Sequence, residues 1–429
     1  MMRLPDAYLE IMQALLQDNF SNYLACLEEA PYRGYRINPL KVDEETFFHE
    51  VPFPNEKHPF CKNGYYFTKD EKSSDYVAYY AGLFYPQEPS ASSAVNELDI
   101  CENMVVLDLC AAPGSKSTQI AEILKGTGYL VANDVDRKRA GILLENITRH
   151  GIQNAIVLNA SMQQIQETFQ EQFDAVLCDA PCSGEGMFRK EEAAITQWSI
   201  AHVQKCVQMQ TIALDTAYQA LKQGGILVYS TCTFNPMENE EQINRFIARH
   251  RDMEIVTQRR IFPMDKREGH FVCKLKKGKE NERKAFTLLK SSTLPTSAKQ
   301  FLNAHLEQDY PYYYVHQNEV YGGFQPFLDL KHLNVLNQQV YLGEVKKDIF
   351  IPSFALALSG NLKKEYQIEL SLEEVQHYLH GDTIAQKKEK GFYVVTYHHF
   401  PLGFVKSDGA MLKNHYPKHL RIKENKKLL

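Results

Sequence analysis

The feature that most constrains this chain is a regular alternation of short apolar runs and longer amphipathic segments between residues 105 and 250. The apolar runs predict β-strands at 105-VVLDLC, 129-YLVANDV, 155-AIVLNA, 173-FDAVLCD and 225-GILVYSTC. Between and after them, helical spacing is present near residues 115–125, 137–150, 200–222 and 238–250. Strands that alternate with helices require a parallel sheet covered on both faces, so the sequence predicts a Rossmann-like, doubly wound α/β fold.

The regions on either side of this alternation predict additional domains. Early helical spacing followed by a proline-rich stretch predicts a small α+β domain over residues 1–80. The segment 270-HFVCKLKK predicts an antiparallel edge strand, which closes a central domain over residues 81–285, and a charged and polar linker follows. Short apolar runs punctuated by glycine then predict β-rich modules over residues 296–365 and 366–429. Several domains are expected because a chain of 429 residues is longer than one hydrophobic core ordinarily supports.

Composition excludes several classes of protein. The chain has no uncharged apolar run long enough to cross a bilayer and no basic leader with a cleavage site, so we expect a cytoplasmic protein. Its nine cysteines are scattered without a C-x-x-C pair, so neither a disulfide framework nor a metal site is predicted. The net charge of −5 argues against binding polyanions through overall charge, although lysine and arginine cluster within residues 266–284 and near the carboxyl end.

Small residues follow the first predicted strand, where a doubly wound sheet binds its ligand. The chain there reads Cys110, Ala111, Ala112, Pro113, Gly114, Ser115, Lys116. Small side chains let the backbone approach a ligand, and the helix that follows offers free N–H groups at its amino terminus. The loop lacks the glycine patterns of dinucleotide-binding and P-loop proteins. Asp134 ends the second strand, where an acid accepts hydrogen bonds from the ribose of an adenosine ligand; a solvated surface aspartate is the alternative.

Two cysteines follow the fourth and fifth predicted strands. Cys182 lies three residues after Asp179, and Cys232 ends the strand that begins at 225. If these strands are neighbours, both thiols lie on the same rim as the Gly114 loop. Buried cysteines that only fill space are the common alternative. However, each of these follows its strand directly, and Cys232 precedes a predicted helix whose dipole favours a thiolate.

Five segments form one ordered set along the chain. They are 84-FYPQEPSA, 107-LDLCAAPGSKS, 179-DAPCSGEGMFRK, 230-STCTFNPMENEE and 260-RIFPMDKREGHFVCKLKK. In order and spacing this set resembles the NOL1/NOP2/Sun family of RNA cytosine-5 methyltransferases. The resemblance implies a class I methyltransferase sheet that binds S-adenosylmethionine and methylates carbon 5 of a cytidine in RNA.

The resemblance also implies a role for each site residue. The family's Thr-Cys cysteine is the nucleophile, here Cys232, and its Pro-Cys cysteine, here Cys182, assists product release. Asp179 is expected to face the reaction centre and to border the donor, residues 110–116 to hold the donor, and Asp134 to bind its ribose. The chemistry agrees, because carbon 5 of cytosine becomes nucleophilic only after a thiolate adds to carbon 6 and a carboxyl group stabilises the developing charge.

One position departs from the family pattern. After the third strand the family usually places an acid near the adenine, whereas this chain has Ser161, so we expect weaker donor binding. A serine hydroxyl still supplies one hydrogen bond, so activity is not expected to be lost.

The outer regions extend the resemblance. The segment 401-PLGFVKSDGAMLKNHYPKHLR is similar to the PUA-type RNA-binding modules of the bacterial ribosomal-RNA members, and 4-LPDAYLEIMQALL and 36-RINPLK resemble their amino-terminal extension. The implied partner is small-subunit ribosomal RNA or the small ribosomal subunit, with the target base extruded into the pocket. We expect a monomer that requires no metal.

Two other functions stay open. A ribosome-assembly factor can bind RNA on a methyltransferase fold without turnover, but a decayed site is expected to lose a thiol or the donor loop, and this chain retains both. A nicotinamide-dependent oxidoreductase would need the glycine fingerprint that this chain lacks.

Overall fold

The structure is a computed structural model that describes residues 4–67, 72–423 and 426–429. Its amino-terminal elements are the helices α1 (Asp6–Leu16), α2 (Phe20–Leu27), α3 (Glu44–Glu50), α4 (Val77–Tyr80) and α5 (Ser93–Asn96), and the strands β1 (Gly34–Ile37), β2 (Gly64–Tyr66) and β3 (Phe84–Pro86). These strands form a small antiparallel sheet in the order β2-β1-β3. The amino-terminal region is therefore a mixed α+β unit, as predicted.

The central region alternates strands and helices, as the sequence predicts. Its strands are β4 (Val105–Asp108), β5 (Tyr129–Asn133), β6 (Ala155–Leu158), β7 (Phe173–Asp179), β8 (Leu221–Thr231), β9 (Met253–Ile261) and β10 (His270–Lys277). Its helices are α6 (Ser115–Leu124), α7 (Arg137–Arg149), α8 (Met162–Thr168), α9 (Glu192–Gln197), α10 (Ile200–Ala220) and α11 (Glu240–Arg249).

The carboxyl-terminal region is rich in short strands. Its helices are α12 (Thr296–His305), α13 (Phe354–Leu358) and α14 (Leu372–His380). Its strands are β11 (Tyr312–His316), β12 (Glu319–Gly323), β13 (Val335–Gln338), β14 (Val340–Lys346), β15 (Ile349–Pro352), β16 (Gln367–Glu369), β17 (Gly391–Tyr397), β18 (Phe400–Ser407) and β19 (Leu412–Asn414). Two small sheets result, in the orders β11-β12-β14-β15 and β16-β17-β18-β19.

The central sheet has the strand order β13-β6-β5-β4-β7-β8-β10-β9. Strands β4 to β8 are parallel, whereas β10 and β13 run antiparallel to their neighbours. Alternate residues of β4 face opposite apolar layers, with Val105 and Leu107 in one and Val106 in the other. Burial on both faces explains why these strands are continuous apolar runs.

Two strands correct the predicted sheet. The segment 270-HFVCKLKK is not an edge strand, because β10 lies between β8 and β9, and β9 forms the edge. The sequence hides β9 because most of its residues are exposed, including Ile255 and Val256, so it lacks a buried apolar face. At the opposite edge, β13 comes from the carboxyl-terminal region and pairs with β6. The domain boundaries stay predictions.

The two ends of the chain pack together. Tyr35 and Phe84 of the amino-terminal sheet belong to the same apolar cluster as Val375, Tyr378 and Val405 of the carboxyl-terminal region. Within residues 4–67, 72–423 and 426–429, each helix is too short or too polar to cross a bilayer.

Candidate active site

The candidate site lies at the carboxyl ends of the parallel strands. The strand order reverses between β4 and β7, since β5 and β6 follow on one side and β8 on the other. Ligands bind outside such a reversal point in doubly wound sheets. The ends of β4, β5, β7 and β8 bring the segments of Gly114, Asp134, Cys182 and Cys232 to this rim.

The loop between β4 and α6 is held by side chains of α7. Gly114 has a φ of +111°, and a Cβ there would lie 3.1 Å from Leu143 Cδ1, so glycine meets both a backbone and a packing requirement. Arg139 Nη2 donates to the Ala112 carbonyl at 2.7 Å, and Asn146 Nδ2 donates to the Pro113 carbonyl at 2.7 Å. The loop is therefore a fixed backbone cradle.

Asp134 is buried beside this loop and is 2% exposed. The N–H groups of Ala112 and Asp136 donate to its two carboxylate oxygens at 3.3 and 2.9 Å. Arg139 Nη2 lies 3.4 Å from the carboxylate. These contacts orient the carboxylate at the second strand end, where the ribose acid is predicted.

Asp179 and Lys116 form an ion pair across the reversal point. Lys116 Nζ donates to Asp179 Oδ2 at 2.7 Å, and Ser230 Oγ donates to Oδ1 at 2.6 Å. Burial acts to raise the pKa of Asp179, but the charge of Lys116 and the nearby His270 side chain hold that pKa well below its ordinary value. The pair therefore presents an ionised carboxylate and an ammonium group at the rim.

The two predicted cysteines are in contact. Their sulfur atoms lie 3.2 Å apart, and the Cys232 N–H donates to Cys182 Sγ at 3.3 Å. Both side chains are free thiols and half-buried. The hydrogen bond with Cys232 and burial raise the pKa of Cys182 well above its ordinary value. These contacts therefore favour the protonated thiol of Cys182.

A buried polar network behind the cysteines was not predicted. Gln210 Nε2 and the Ser183 N–H donate to Glu238 Oε2 at 2.8 and 3.0 Å, and Ser183 Oγ also donates to Glu238. Thr233 Oγ1 lies 2.8 Å from Ser183 Oγ. No sequence pattern indicates this network, because Glu238 falls in an acidic run that resembles an exposed helix start. The network joins the segments that carry Cys182 and Cys232.

A second buried acid supports the same segments. Trp198 Nε1 donates to Glu185 Oε1 at 2.9 Å, and the Phe234 N–H donates to Oε2 at 3.0 Å. The Gly186 N–H donates to the Cys232 carbonyl at 2.8 Å, and a Cβ at Gly186 would lie only 2.9 Å from that oxygen. This close approach requires glycine.

Asp108 is a further site residue that sequence reasoning missed as a functional group. Ser117 Oγ donates to its Oδ2 at 2.6 Å, whereas Oδ1 has no hydrogen-bond partner among the described residues. Burial raises the pKa of Asp108 to about 7. The sequence feature that could have identified Asp108 is its position at the end of β4, just before the Gly114 loop.

Two residues that are predicted to bind the methyl donor, Ser161 and Cys110, make structural contacts in the protein. Ser161 caps α8: its Oγ accepts from the Gln164 N–H at 3.3 Å, and Gln164 Oε1 accepts from the Ser161 N–H at 2.9 Å. The pattern S-x-x-Q was a readable signal for this capping box. Cys110 packs against the apolar layer that includes Leu107, and burial raises the pKa of its thiol. In the described part of the chain, His, Cys, Asp and Glu side chains form no group of three or more able to hold a metal ion.

Three stretches of the chain match known protein families. Residues 4–89 match the N-terminal domain of 16S rRNA methyltransferase RsmF, and residues 95–280 match 16S rRNA methyltransferase RsmB/F. Residues 365–422 match the methyltransferase RsmF PUA domain. These matches confirm the predicted methyltransferase sheet and the PUA-like carboxyl-terminal module.

Individual proteins give the same result. The ribosomal RNA small subunit methyltransferase F of Cronobacter sakazakii is 30% identical over 464 residues, which cover 97% of this chain and 96% of that protein. The protein of the same name from Vibrio parahaemolyticus is 38% identical over 248 residues, 56% of this chain and 52% of its own. The crystal structure of a methyltransferase homolog protein from Pyrococcus horikoshii has a TM-score of 0.58 and 26% identity, and covers 64% of this chain and 96% of that chain.

Proposed function

Because the chain belongs to the RsmB/F family of 16S ribosomal RNA methyltransferases, within the NOL1/NOP2/Sun family, we propose that it methylates carbon 5 of a cytidine in small-subunit ribosomal RNA. The proposed donor is S-adenosylmethionine, and the proposed nucleophile is Cys232. The observation that carries the proposal is the 3.2 Å contact between the sulfur atoms of Cys182 and Cys232, on the rim that also carries the Gly114 loop. Two adjoining thiols suit a reaction that needs both addition to a pyrimidine ring and elimination from it.

The donor-loop residues fit S-adenosylmethionine. The backbone cradle at Gly114 combines a positive φ with close packing against Leu143, and the Asp134 carboxylate is oriented to accept hydrogen bonds from ribose hydroxyls. Residues 110–116 would hold the donor, with Ser161 at the adenine side. When bound, the donor supplies an electrophilic methyl group to carbon 5 of the base.

In the proposed addition step, the Cys232 thiol loses its proton to solvent and the resulting thiolate forms a bond to carbon 6 of the cytosine ring. The electron pair of the double bond between carbons 5 and 6 then moves toward carbon 5 and nitrogen 3. Asp179 is ionised, so it accepts a hydrogen bond from the exocyclic amine. Lys116, 2.7 Å from Asp179, supplies positive charge beside the electron density that develops on the ring. Asp179 therefore acts as a hydrogen-bond acceptor, whereas a protonated carboxylic acid would donate a hydrogen bond to the ring.

Cys182 has the proposed role in release. In the free enzyme the hydrogen bond to Cys232 is the largest cause of the raised pKa of Cys182. In the adduct the Cys232 sulfur is an uncharged thioether, so the largest of these causes is removed and the pKa of Cys182 falls, although burial still raises it. Loss of the Cys182 proton to solvent is then easier than in the free enzyme. The Cys182 thiolate then takes the proton from carbon 5, the bond between carbon 6 and sulfur breaks, and its electron pair returns to Cys232.

The proposal is tested by incubating the purified chain with methyl-labelled S-adenosylmethionine and unmodified small-subunit RNA, both free and assembled, and then identifying the labelled nucleoside. We expect 5-methylcytidine with wild type and with Cys101→Ser, a control at an exposed cysteine outside the site. We expect none with Cys232→Ala.

Two outcomes would contradict the proposal. A labelled nucleoside methylated anywhere other than carbon 5 of a pyrimidine would exclude the thiolate-addition chemistry. Donor binding without transfer to either form of the RNA would instead favour an assembly factor.

A further inference from the structure

We infer that Arg36, a residue of the amino-terminal sheet, is a positioning residue for the donor loop, so that the amino-terminal unit forms part of the donor-binding apparatus. The inference rests on the proposed donor. It concerns a residue outside the central sheet, on β1, whose side chain reaches the helix that follows the Gly114 loop.

Arg36 is 1% exposed and makes its hydrogen bonds to α6 and to Gln87. Its Nε lies 3.0 and 2.9 Å from the two carboxylate oxygens of Glu122. Its Nη2 donates to Thr118 Oγ1 at 2.7 Å, and its Nη1 donates to the Ser115 carbonyl at 3.2 Å. One guanidinium group thus contacts α6 at its first residue and along its length.

The contact with Ser115 connects Arg36 to the site. Ser115 is the first residue of α6 and lies between Gly114, which forms the cradle, and Lys116, which pairs with Asp179. A planar guanidinium with donors in fixed directions sets where this helix start lies relative to β1. Displacement of Arg36 therefore displaces the backbone that would hold the donor.

Other contacts of the same segment hold the two units together elsewhere. Asn38 Nδ2 donates to the carbonyls of Gly82 and His150 at 2.9 and 3.1 Å, and Lys41 Nζ donates to the Arg149 carbonyl at 2.9 Å. His150 follows the carboxyl end of α7 and belongs neither to α6 nor to the loop before it. Asn38 therefore provides a matched control: a buried polar side chain on the same segment that joins the same two units without contacting α6.

The test uses the full chain and three variants: Arg36→Met, Arg36→Met with Glu122→Leu, and Asn38→Ala. Arg36→Met leaves the Glu122 carboxylate buried without its partner, so both its melting temperature and its donor affinity should fall. The double variant replaces the buried ion pair with apolar side chains, a change that commonly preserves stability. Calorimetry with S-adenosylmethionine should show donor affinity lowered about tenfold in both Arg36 variants, in line with the loss of a charge-assisted hydrogen bond.

The stable double variant separates positioning from a merely structural role. We expect it to regain the melting temperature but not the donor affinity, whereas Asn38→Ala should lose melting temperature and keep the affinity. Coupling between sites is reciprocal, so donor binding should also slow hydrogen exchange in β1 of wild type and not in the double variant.

Three results would overturn the inference. Wild-type affinity in the double variant would show that Arg36 acts only through stability. Equal weakening in Asn38→Ala would show that general docking of the amino-terminal unit is responsible. Absence of S-adenosylmethionine binding by wild type would remove the proposed function, and this inference with it.

Discussion

The two sides of the candidate site are held in place differently. On the cysteine side, Glu238, Ser183 and Gln210 support the thiols, and all three belong to the central region that carries the cysteines. On the donor side, Arg36 of the amino-terminal sheet backs the start of α6. The hydrogen bonds that support the thiols therefore come from the central region itself, whereas the donor side depends on a hydrogen bond from a distant part of the chain.

The third strand end adds to this difference. The Asn159 N–H donates to the Asn334 carbonyl at 3.0 Å, and Asn334 Nδ2 donates to Asn159 Oδ1 at 3.3 Å. Asn159 Nδ2 in turn donates to the Asp134 carbonyl at 2.9 Å. A residue that precedes β13, from the carboxyl-terminal region, thus fixes the turn after Asp134, the proposed ribose-binding acid. Substitutions on the cysteine side are expected to change chemistry, and those on the donor side affinity.

The largest expected effect is on the cysteine side. Cys182→Ala removes the proposed base for the release step, so turnover should fall by about a thousandfold. Because addition through Cys232 is retained, a covalent protein–RNA adduct should accumulate. A denaturing gel of the reaction with RNA should show a slow band that nuclease removes.

The double variant Cys182→Ala with Cys232→Ala is the matched control and should give no such band. If Cys182→Ala binds RNA but forms no adduct, the division of labour between the two thiols is wrong.

The next effect tests whether the cysteine side is supported from within. In Glu238→Gln, an amide N–H₂ at the Oε2 position would face two donors and lose both hydrogen bonds. At the Oε1 position it would instead replace the acceptor of the Ser183 hydroxyl proton, so that hydroxyl would have to reorient. The free energy of unfolding should fall by about 1–3 kcal/mol, measured by urea titration. Glu241→Gln, at an exposed position of α11, should change it by less than about 0.5 kcal/mol. Equal stability of Glu238→Gln and wild type would mean that the network does not hold the thiols.

The same contrast explains what the sequence revealed. The strands β4 to β8 and the contact of Cys182 with Cys232 were predictable, because buried parallel strands are apolar runs and neighbouring strands end at one rim. The edge strand β9 was not, since solvent covers much of it. Nor was β13, whose pairing with β6 joins residues far apart in sequence. Local patterns carry no information on which distant segment will complete a sheet or back a loop.

Partners of buried polar residues were hidden for the same reason. The segment 36-RINPLK does not indicate that the Arg36 side chain is buried against α6, because arginine is usually exposed. Ser161 is the opposite case, because its structural role is encoded locally. The S-x-x-Q pattern predicts the capping box that the structure shows, whereas the family resemblance predicts a position near the adenine.

A smaller effect on the donor side concerns pH. Burial raises the pKa of Asp108 from its ordinary 3.8 to about 7. Between these values the folded protein holds a proton that the unfolded chain releases, so the contribution of Asp108 to stability falls as pH rises from about 4 through 7. In Asp108→Asn, urea midpoints measured between pH 5 and 7.5 should therefore decline less with rising pH.

Ser117→Ala tests the same group in the opposite direction. Ser117 Oγ donates to Asp108 Oδ2 and thereby lowers the pKa of Asp108, so its loss should steepen the decline of stability with pH. Identical pH slopes in wild type and both variants would show that Asp108 does not titrate in this range.

The smallest effect is expected at Ser161, where the family usually has an acid. Aspartate caps a helix about as well as serine, so Ser161→Asp should change the free energy of unfolding by less than about 0.5 kcal/mol. A carboxylate beside the adenine side of the donor should raise its affinity about fivefold, close to the value of one hydrogen bond. Because the Ser161 hydroxyl is used in the cap of α8 and not toward the donor, Ser161→Ala should lose about 1 kcal/mol of stability and leave donor affinity unchanged. If Ser161→Asp also leaves calorimetric affinity unchanged, the explanation of weaker donor binding by this serine falls. The segment after the third strand would then affect donor binding through the backbone turn that Asn159 and Asn334 hold in place. The adenine side of the site would in that case depend on a distant segment of the chain, as we propose for Arg36 on the other side.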